Sequence, residues 1–403
     1  MNNLIHRTYI DTLIQNQFKW NMMLFLMGAR QVGKTTVANM ISNTFNRSAY
    51  FNWDNDEHRR LIISGQKFIE QILPLHTLGE KPLVIFDELH KYPSWKNYIK
   101  GFYDQYKDHY NIIVTGSAHL NVFQKGGDSL MGRYLPFTIH PLSVGELQSN
   151  PLESLFRSPF EIQTVDYEAL YNYGGFPAPY LYRDREGYLQ WKRTRLSQLF
   201  REDIRDTTEV RKVSKLELCA TLLEFQSGNV LNRSTISKHI QVAVDTINCW
   251  IDILKQFYYL FTIQPWSTNI PHSLIKEPKV YLTDWSFVQN EGARFETFVA
   301  CHLKKSVDYW NERGKGEFDL FYLRDKKQRE VDFLITRNNT PWILIEAKTT
   351  EQPVSKSLHY FRELTKAPYV FQVTQKMAYI DHDCFANEGL YIVPAKTFLS
   401  QLI

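Results

Sequence analysis

A glycine-rich segment at residues 28–35, Gly-Ala-Arg-Gln-Val-Gly-Lys-Thr, constrains the fold of this chain more than any other feature. It matches the pattern GxxxxGK[ST] at every fixed position and directly follows a short apolar run, Met22–Met27. Its two glycines let backbone N–H groups curl around phosphate oxygens that a Cβ would obstruct. Such a loop joins a buried strand to a helix, so an α/β fold with a parallel sheet is predicted around it.

The residue types of this phosphate-binding loop (P-loop) predict a site for ATP and Mg²⁺. Lys34 is expected to act catalytically by reaching the β- and γ-phosphates, and the Thr35 hydroxyl is expected to bind Mg²⁺. The helix predicted to begin at Thr35 would place the positive end of its dipole next to the phosphates. The predicted nucleotide-binding residues of the loop are Gly28, Ala29, Arg30, Gln31, Val32, Gly33, Lys34, Thr35 and Thr36.

A second apolar run, Leu83–Phe86, ends in the carboxylates Asp87 and Glu88. An ATPase of this kind needs a carboxylate at the end of a second buried strand. We expect Asp87 to hold Mg²⁺ through water, and Glu88 to orient or deprotonate the attacking water. Taken alone, an apolar run ending in two acids is more often an ordinary strand end, so this interpretation depends on the P-loop.

Two further positions are candidates for contact with the transferred phosphate. The run Ile112–Val114 is followed by Thr115 and Ser117, either of which could sense the γ-phosphate; an ordinary strand-to-loop turn is the alternative. Arg133 follows a glycine and is a candidate arginine finger, acting from a neighbouring subunit of an oligomer. A surface role is the alternative for this arginine.

Composition narrows the setting of the protein. The four cysteines are scattered without a CxxC pair, which argues against a disulfide framework or a zinc finger and fits a cytoplasmic protein. The longest apolar run is far shorter than a membrane span of about 20 residues, so no membrane span is expected, and the first residues are not expected to act as a secretory signal. A net charge of +4 permits nucleic acid as a partner without arguing for it.

The middle of the chain predicts a helical unit. Residues 231–238 and 244–251 are typical of a helix, a turn and a second helix, and the strand-like run 257–263 would be the wing of a winged helix. The second helix carries acidic as well as basic residues, so its electrostatic attraction to DNA is weak. Contact with DNA and contact with a protein partner are both left open.

The C-terminal part carries a separate set of charged residues. Glu296 borders the apolar stripe of a predicted helix, Asp332 lies in a predicted strand, and Glu346 and Lys348 share one face of the next. Asp332 and Glu346 could hold a second metal ion, Mg²⁺ or Mn²⁺, with Glu296 nearby. Lys348 could orient an attacking water.

The order of these motifs resembles the prokaryotic AAA-type ATPases that carry a C-terminal domain of unknown function. That resemblance implies a RecA-like P-loop ATPase domain at 1–150, a helical linker and winged helix at 151–288, and a restriction-endonuclease-like domain at 289–403. The C-terminal residues resemble the PD-(D/E)xK nucleases, with Val331 in place of the motif's proline. The segments that carry the resemblance to the AAA-type ATPases are 28–36, 86–90, 115–117, 132–133, 141–143, 174–177 and 201–204.

Three functional hypotheses follow. The first is a Mg²⁺-dependent ATPase whose nucleotide state controls the winged helix and the nuclease-like module, acting on double-stranded or branched DNA and forming a nucleotide-dependent homo-oligomer. The second is an ATP-gated, metal-dependent nuclease that cuts DNA through Asp332, Glu346 and Lys348. The third is a nucleotide switch that binds a protein partner and cuts nothing.

Overall fold

The computed structural model forms two compact units, His6–His140 and Pro141–Ile403. No helix of the described part is long and apolar enough to cross a membrane. The residues that the structure describes are 5, 7, 10, 18–75, 80–116, 130–148, 154–205, 210, 212–267 and 277–403.

Five parallel strands form the sheet of the first unit. In chain order they are β1 (Met23–Met27), β2 (Ser48–Asn52), β3 (Leu83–Asp87), β4 (Asn111–Gly116) and β5 (Tyr134–Thr138). Their order across the sheet is β2-β3-β4-β1-β5. Every residue of β1 and β3 is buried, as expected for central strands covered on both faces. The predicted parallel α/β sheet is confirmed.

Helices connect these strands, because parallel strands need crossover connections. They are α1 (Lys34–Ser42), α2 (Asp56–Ile63), α3 (Phe68–Ile72) and α4 (Trp95–Tyr106). The buried stripe of α4 includes Ile99 and Phe102, and the Phe102 ring meets Phe86 of β3 edge-on with centroids 5.2 Å apart. This packing fixes the position at which β3 ends.

The second unit is built on a mixed seven-stranded sheet in the order β12-β11-β10-β9-β8-β6-β7. β8, β9 and β10 are antiparallel neighbours, whereas β10, β11 and β12 are parallel. The strands are β6 (Leu260–Pro265), β7 (Lys279–Leu282), β8 (Phe318–Arg324), β9 (Glu330–Arg337), β10 (Thr340–Lys348), β11 (Tyr369–Thr374) and β12 (Gly389–Pro394).

Helices surround this sheet and precede it. The longest, α11, packs against β8 and β10, and α12 packs against β9 and β10. They are α5 (Thr164–Tyr173), α6 (Pro177–Tyr182), α7 (Arg185–Gln198), α8 (Val213–Gln226), α9 (Arg233–Ile240), α10 (Val244–Gln256), α11 (Glu291–Glu312), α12 (Lys356–Thr365) and α13 (Ala395–Ser400). A π-helical turn, Leu199–Ile204, extends α7.

The strand-like run predicted as a wing has a different place. Helices α9 and α10 occur where the sequence predicts them, but the strand that follows, β6, pairs antiparallel with β7 and parallel with β8. Residues 260–263 of this run therefore belong to the large sheet, and the predicted winged helix stays a prediction. Both partner strands come from later in the chain, so local sequence could not indicate this pairing. The predicted boundary at 288/289 lies inside this unit.

A buried histidine holds the start of the second unit to α11. The backbone N–H of Val144 donates to Nε2 of His302 at 3.0 Å, so Nδ1 carries the proton and donates to the carbonyl of Phe298 at 2.7 Å. Burial lowers the pKa of His302 to about 3. The imidazole is therefore neutral in the folded protein at any ordinary pH.

This histidine predicts acid sensitivity. In the unfolded chain its pKa returns to about 6.5. The unfolded state therefore gains a proton below that pH, and the free energy of unfolding falls by about 1.4 kcal/mol per pH unit. Urea unfolding at pH 7 and pH 5 should show a larger loss for the wild type than for His302→Gln, whose amide oxygen can still accept from Val144. Equal losses in the two proteins would contradict this assignment.

Candidate nucleotide-binding site and carboxylate cluster

Two glycines shape the loop between β1 and α1. Gly28 has φ +145°, and a Cβ there would lie 2.3 Å from the carbonyl oxygen of Ile139. Gly33 has φ +102° and directly precedes α1. This helix begins at Lys34, one residue before the predicted start at Thr35. Both positions therefore exclude larger side chains, for steric reasons at Gly28 and conformational reasons at both.

The lysine of the loop is folded back over it. Lys34 is only 5% exposed, and its Nζ donates to the carbonyls of Gly28 at 3.1 Å and Ala29 at 2.9 Å. Within the same loop Gln31 has φ +65° and Val32 is fully buried. An ammonium group thus lies above the loop, where phosphate oxygens would meet it.

Three hydroxyl groups converge on Asp87, the last residue of β3. Its Oδ2 accepts from Thr35 Oγ1 at 2.9 Å and from the Tyr50 hydroxyl at 2.5 Å, and its Oδ1 accepts from Thr115 Oγ1. Asp87 is 1% exposed, so these donors compensate for its lost hydration. Burial and the hydrogen bond to Asp87 raise the pKa of Tyr50, which keeps its proton on the phenol.

Glu88 follows in a left-handed backbone conformation, φ +54°. Its N–H donates to Thr115 Oγ1 at 3.2 Å. Its carboxylate lies 3.3 Å from Nζ of Lys91, which also contacts Asp54 at 2.6 Å. The turn after β3 thus points the two acids in different directions, Asp87 to the P-loop threonine and Glu88 to Lys91.

Strand order explains why Thr115 reaches both acids. β4 lies between β1 and β3, so its carboxyl end lies next to the P-loop on one side and to Asp87 and Glu88 on the other. Sequence reasoning weighed Thr115 and Ser117 as sensors of the γ-phosphate, and that role stays a prediction. The structure shows Thr115 in contact with Asp87 and the Glu88 N–H, whereas Ser117 lies outside the described residues. Tyr50 was missed, because nothing in the sequence around β2 marks its hydroxyl as a partner of β3.

Arg133 lies away from this site. It precedes β5, its carbonyl accepts from the N–H of Met23 at the start of β1, and its guanidinium binds Asp104 of α4 at 2.8 and 3.3 Å. Since the P-loop follows the other end of β1, about 15 Å of strand separates the two. Arg133 does not reach the site of its own chain, and action on a neighbouring subunit stays a prediction.

A second group of charged residues gathers at one edge of the seven-stranded sheet. Lys279 at the start of β7 lies with Nζ 2.9 Å from Oε1 of Glu296 on α11, 2.6 Å from Glu330 and 3.7 Å from Asp332 of β9. Glu296, Glu330 and Asp332 are here called the carboxylate cluster. Burial and the charge of Asp332 raise the pKa of Glu296 to about 7.

Glu346 and Lys348 lie at the end of the neighbouring strand β10. Lys348 Nζ is 2.7 Å from Oε1 of Glu346, and the hydroxyl of Ser355, the residue that caps α12, donates to Oε2. The Asp332 carboxylate accepts from the N–H of Ala347 at 2.9 Å. Strand pairing therefore brings Asp332 next to the Glu-x-Lys segment, as the sequence predicts.

The predicted second metal ion does not fit this arrangement. Glu346 pairs with the Lys348 ammonium and accepts from Ser355. Asp332 accepts from the N–H of Ala347, and its other oxygen lies 3.7 Å from the Lys279 ammonium, so each acid already has a lysine as its cation. No three His, Cys, Asp or Glu side chains of the described ranges are placed to hold a metal ion together. Sequence reasoning missed Lys279, because its strand β7 precedes residues 289–403, where the metal ligands were predicted.

Family comparison supports the assignment of the first unit. Residues 21–148 match the family described as AAA domain, and residues 164–291 and 291–398 match two domains of unknown function, DUF8612 and DUF4143. The first match covers the P-loop, Asp87, Glu88 and Thr115. This match supports an AAA-type P-loop domain within the first unit.

Related proteins extend over most of the chain. An uncharacterized protein of Methanocaldococcus jannaschii is 22% identical over 90% of this chain and 82% of its own length. An uncharacterized protein of Mycobacterium tuberculosis is 20% identical over 80% and 71%. Among solved structures, AMPPCP-bound DnaA from Aquifex aeolicus aligns with TM-score 0.31 and 13% identity, over 63% of this chain and 90% of that one.

Thr115 gives a direct test of the site. Thr115→Val keeps the shape but leaves Asp87 Oδ1 and the Glu88 N–H without their partner, so ATP turnover should fall at least tenfold, equivalent to about 1.4 kcal/mol. ATP affinity should change less than threefold. Thr115→Ser, which retains the hydroxyl, is the matched control and should keep most activity. Phosphate release and nucleotide titration measure both; equal activity of the valine and serine variants would exclude the positioning role.

Proposed function

We propose that the first unit hydrolyses ATP with Mg²⁺. The observation that carries the proposal is the hydrogen bond between Thr35 of the P-loop and Asp87 of β3, formed beside the Lys34 ammonium. Hydroxyl and carboxylate oxygens are the ligand types that Mg²⁺ prefers, so these two residues fit the ion. The match of residues 21–148 to the AAA domain supports the same activity.

Each residue has a distinct task in this proposal. Lys34 exchanges the carbonyls of Gly28 and Ala29 for phosphate oxygens, and Thr35 and Asp87 hold Mg²⁺, which when bound neutralises charge on the phosphates. Glu88 breaks its contact with Lys91 and then orients the attacking water. The backbone N–H groups of the loop and the first turn of α1 bind the remaining phosphate oxygens.

Charge-neutral substitutions separate binding from hydrolysis. Glu88→Gln should reduce the turnover of ATP at least 100-fold while ATP still binds, because only water activation is lost. Lys34→Ala should abolish detectable turnover and weaken ATP binding. Glu57→Gln on the exposed surface of α2 is the control and should behave as wild type. Full hydrolysis by Glu88→Gln would contradict the role given to this glutamate.

The proposed output of the nucleotide state is the second unit, with its helices α9 and α10 and its nuclease-like sheet. DNA and a protein are the two candidate partners of this unit. The solvent-facing side of α10 carries Asp245 and Asp252, which favours a protein partner over the DNA phosphate backbone. A nucleotide-dependent homo-oligomer would give Arg133 its role on a neighbouring subunit.

For the second unit we propose a module that does not cleave. Its support is that Asp332 and Glu346 bind lysines and other protein donors. Purified protein with ATP and either Mg²⁺ or Mn²⁺ should leave supercoiled plasmid and branched DNA uncut over hours. A titration with DNA at low salt shows whether the protein binds DNA and whether DNA stimulates ATP turnover. Cutting that Asp332→Asn abolishes would instead establish the ATP-gated nuclease.

A further inference from the structure

Lys279 is a buried cation in the second unit. Its side chain is 3% exposed, and the elements around it bring Glu296, Glu330 and Asp332 within 2.6 to 3.7 Å of Nζ. The ring of Tyr322 lies 5.7 Å from the same nitrogen.

Sheet topology places this lysine at the sheet edge where Asp332 lies. β7 pairs antiparallel with β6, β6 is parallel to β8, and β8 is antiparallel to β9. The start of β7 therefore lies at the same edge as the end of β8 and the start of β9. Lys279 occupies the first position of β7, and Glu330 the first position of β9.

Further donors complete the carboxylate cluster. The Tyr281 hydroxyl donates to Oε1 of Glu296 at 2.7 Å, and Arg324 lies 3.5 Å from Oε2 of Glu330. Asp332 accepts from the backbone of Ala347. Each carboxylate therefore has a protein partner besides Lys279.

Electrostatics favour the lysine in its charged form. Burial alone would lower the pKa of Lys279, but the charges of Glu296, Asp332 and Glu330 outweigh it and raise that pKa. A buried carboxylate group of this kind needs a compensating positive charge. A divalent ion and an ammonium group would compete for the same oxygens, because both require close contact with them.

We propose that Lys279 is the resident cation of the carboxylate cluster and excludes divalent metal ions from it. This inference holds whether or not the first unit hydrolyses ATP. It gives a physical reason for the proposed absence of cleavage. It also makes Lys279 the residue whose charge decides whether this fold can take a metal ion.

Mn²⁺ binding tests the proposal without any activity measurement. Free Mn²⁺ is followed by electron paramagnetic resonance as nucleotide-free, full-length protein is added. Wild type and Asp332→Asn should bind Mn²⁺ equally weakly. Lys279→Met should gain one Mn²⁺ per chain, at least tenfold tighter than wild type, because the competing ammonium is gone. Lys279→Arg, which keeps the charge, should show no gain.

A double variant ties the gained ion to this cluster. Lys279→Met with Asp332→Asn should lose the new site, whereas any Mn²⁺ at Thr35 and Asp87 stays the same in all the proteins. Mn²⁺ binding by wild type that Asp332→Asn weakens tenfold would overturn the proposal. So would a folded Lys279→Met protein that gains nothing.

Folding of the variants is checked by circular dichroism and thermal unfolding. Should Lys279→Met fail to fold, the comparison of wild type with Asp332→Asn still decides, since tight wild-type binding that depends on Asp332 refutes exclusion by Lys279. DNA cutting without such Mn²⁺ binding would contradict only the proposed lack of cleavage. The two proposals can therefore fail separately.

Discussion

The hydrogen bonds of Asp87 hold the P-loop, β2 and β4 in place around the end of β3. This buried carboxylate accepts hydrogen bonds from a P-loop residue, a β2 residue and a β4 residue: Thr35, Tyr50 and Thr115. A buried carboxylate without such donors would be strongly destabilising, so the three elements are fixed relative to β3. The same contacts bring Thr35 next to Asp87, so the residues that stabilise this unit are also the ones proposed to hold Mg²⁺.

The second unit also has buried carboxylates, and there positively charged lysines compensate for them instead of hydroxyl groups. There several carboxylates meet at one sheet edge, and the compensating groups are the lysines Lys279 and Lys348. In the first unit the donors to Asp87 are uncharged hydroxyl groups. In the second, ammonium groups occupy the carboxylate oxygens. Two acidic sites in one chain thus differ in what neutralises them, and this difference separates the proposed enzyme from the proposed non-cleaving module.

Local sequence was sufficient where function depends on neighbours in the chain. The P-loop needs its two glycines, Lys34 and Thr35 in fixed order, and the apolar runs before the loop and before Asp87 predict buried strands. Pairing across the chain was harder to foresee. Tyr50, Thr115 and Lys279 reach their partners through strand order. Residues 260–263 pair with β7 and β8, which come later in the chain, so local sequence could not indicate that pairing.

The sequence by itself determined the phosphate-binding loop, the acids after β3 and the parallel sheet, because backbone sterics and the burial of apolar runs are local requirements. Only the tertiary structure decided that Thr115 bridges Asp87 and Glu88, that Arg133 pairs with Asp104 away from the loop, and that Lys279 enters the carboxylate cluster. Side-chain charges act across a few ångströms of space, and strand order rather than sequence separation sets which of them meet.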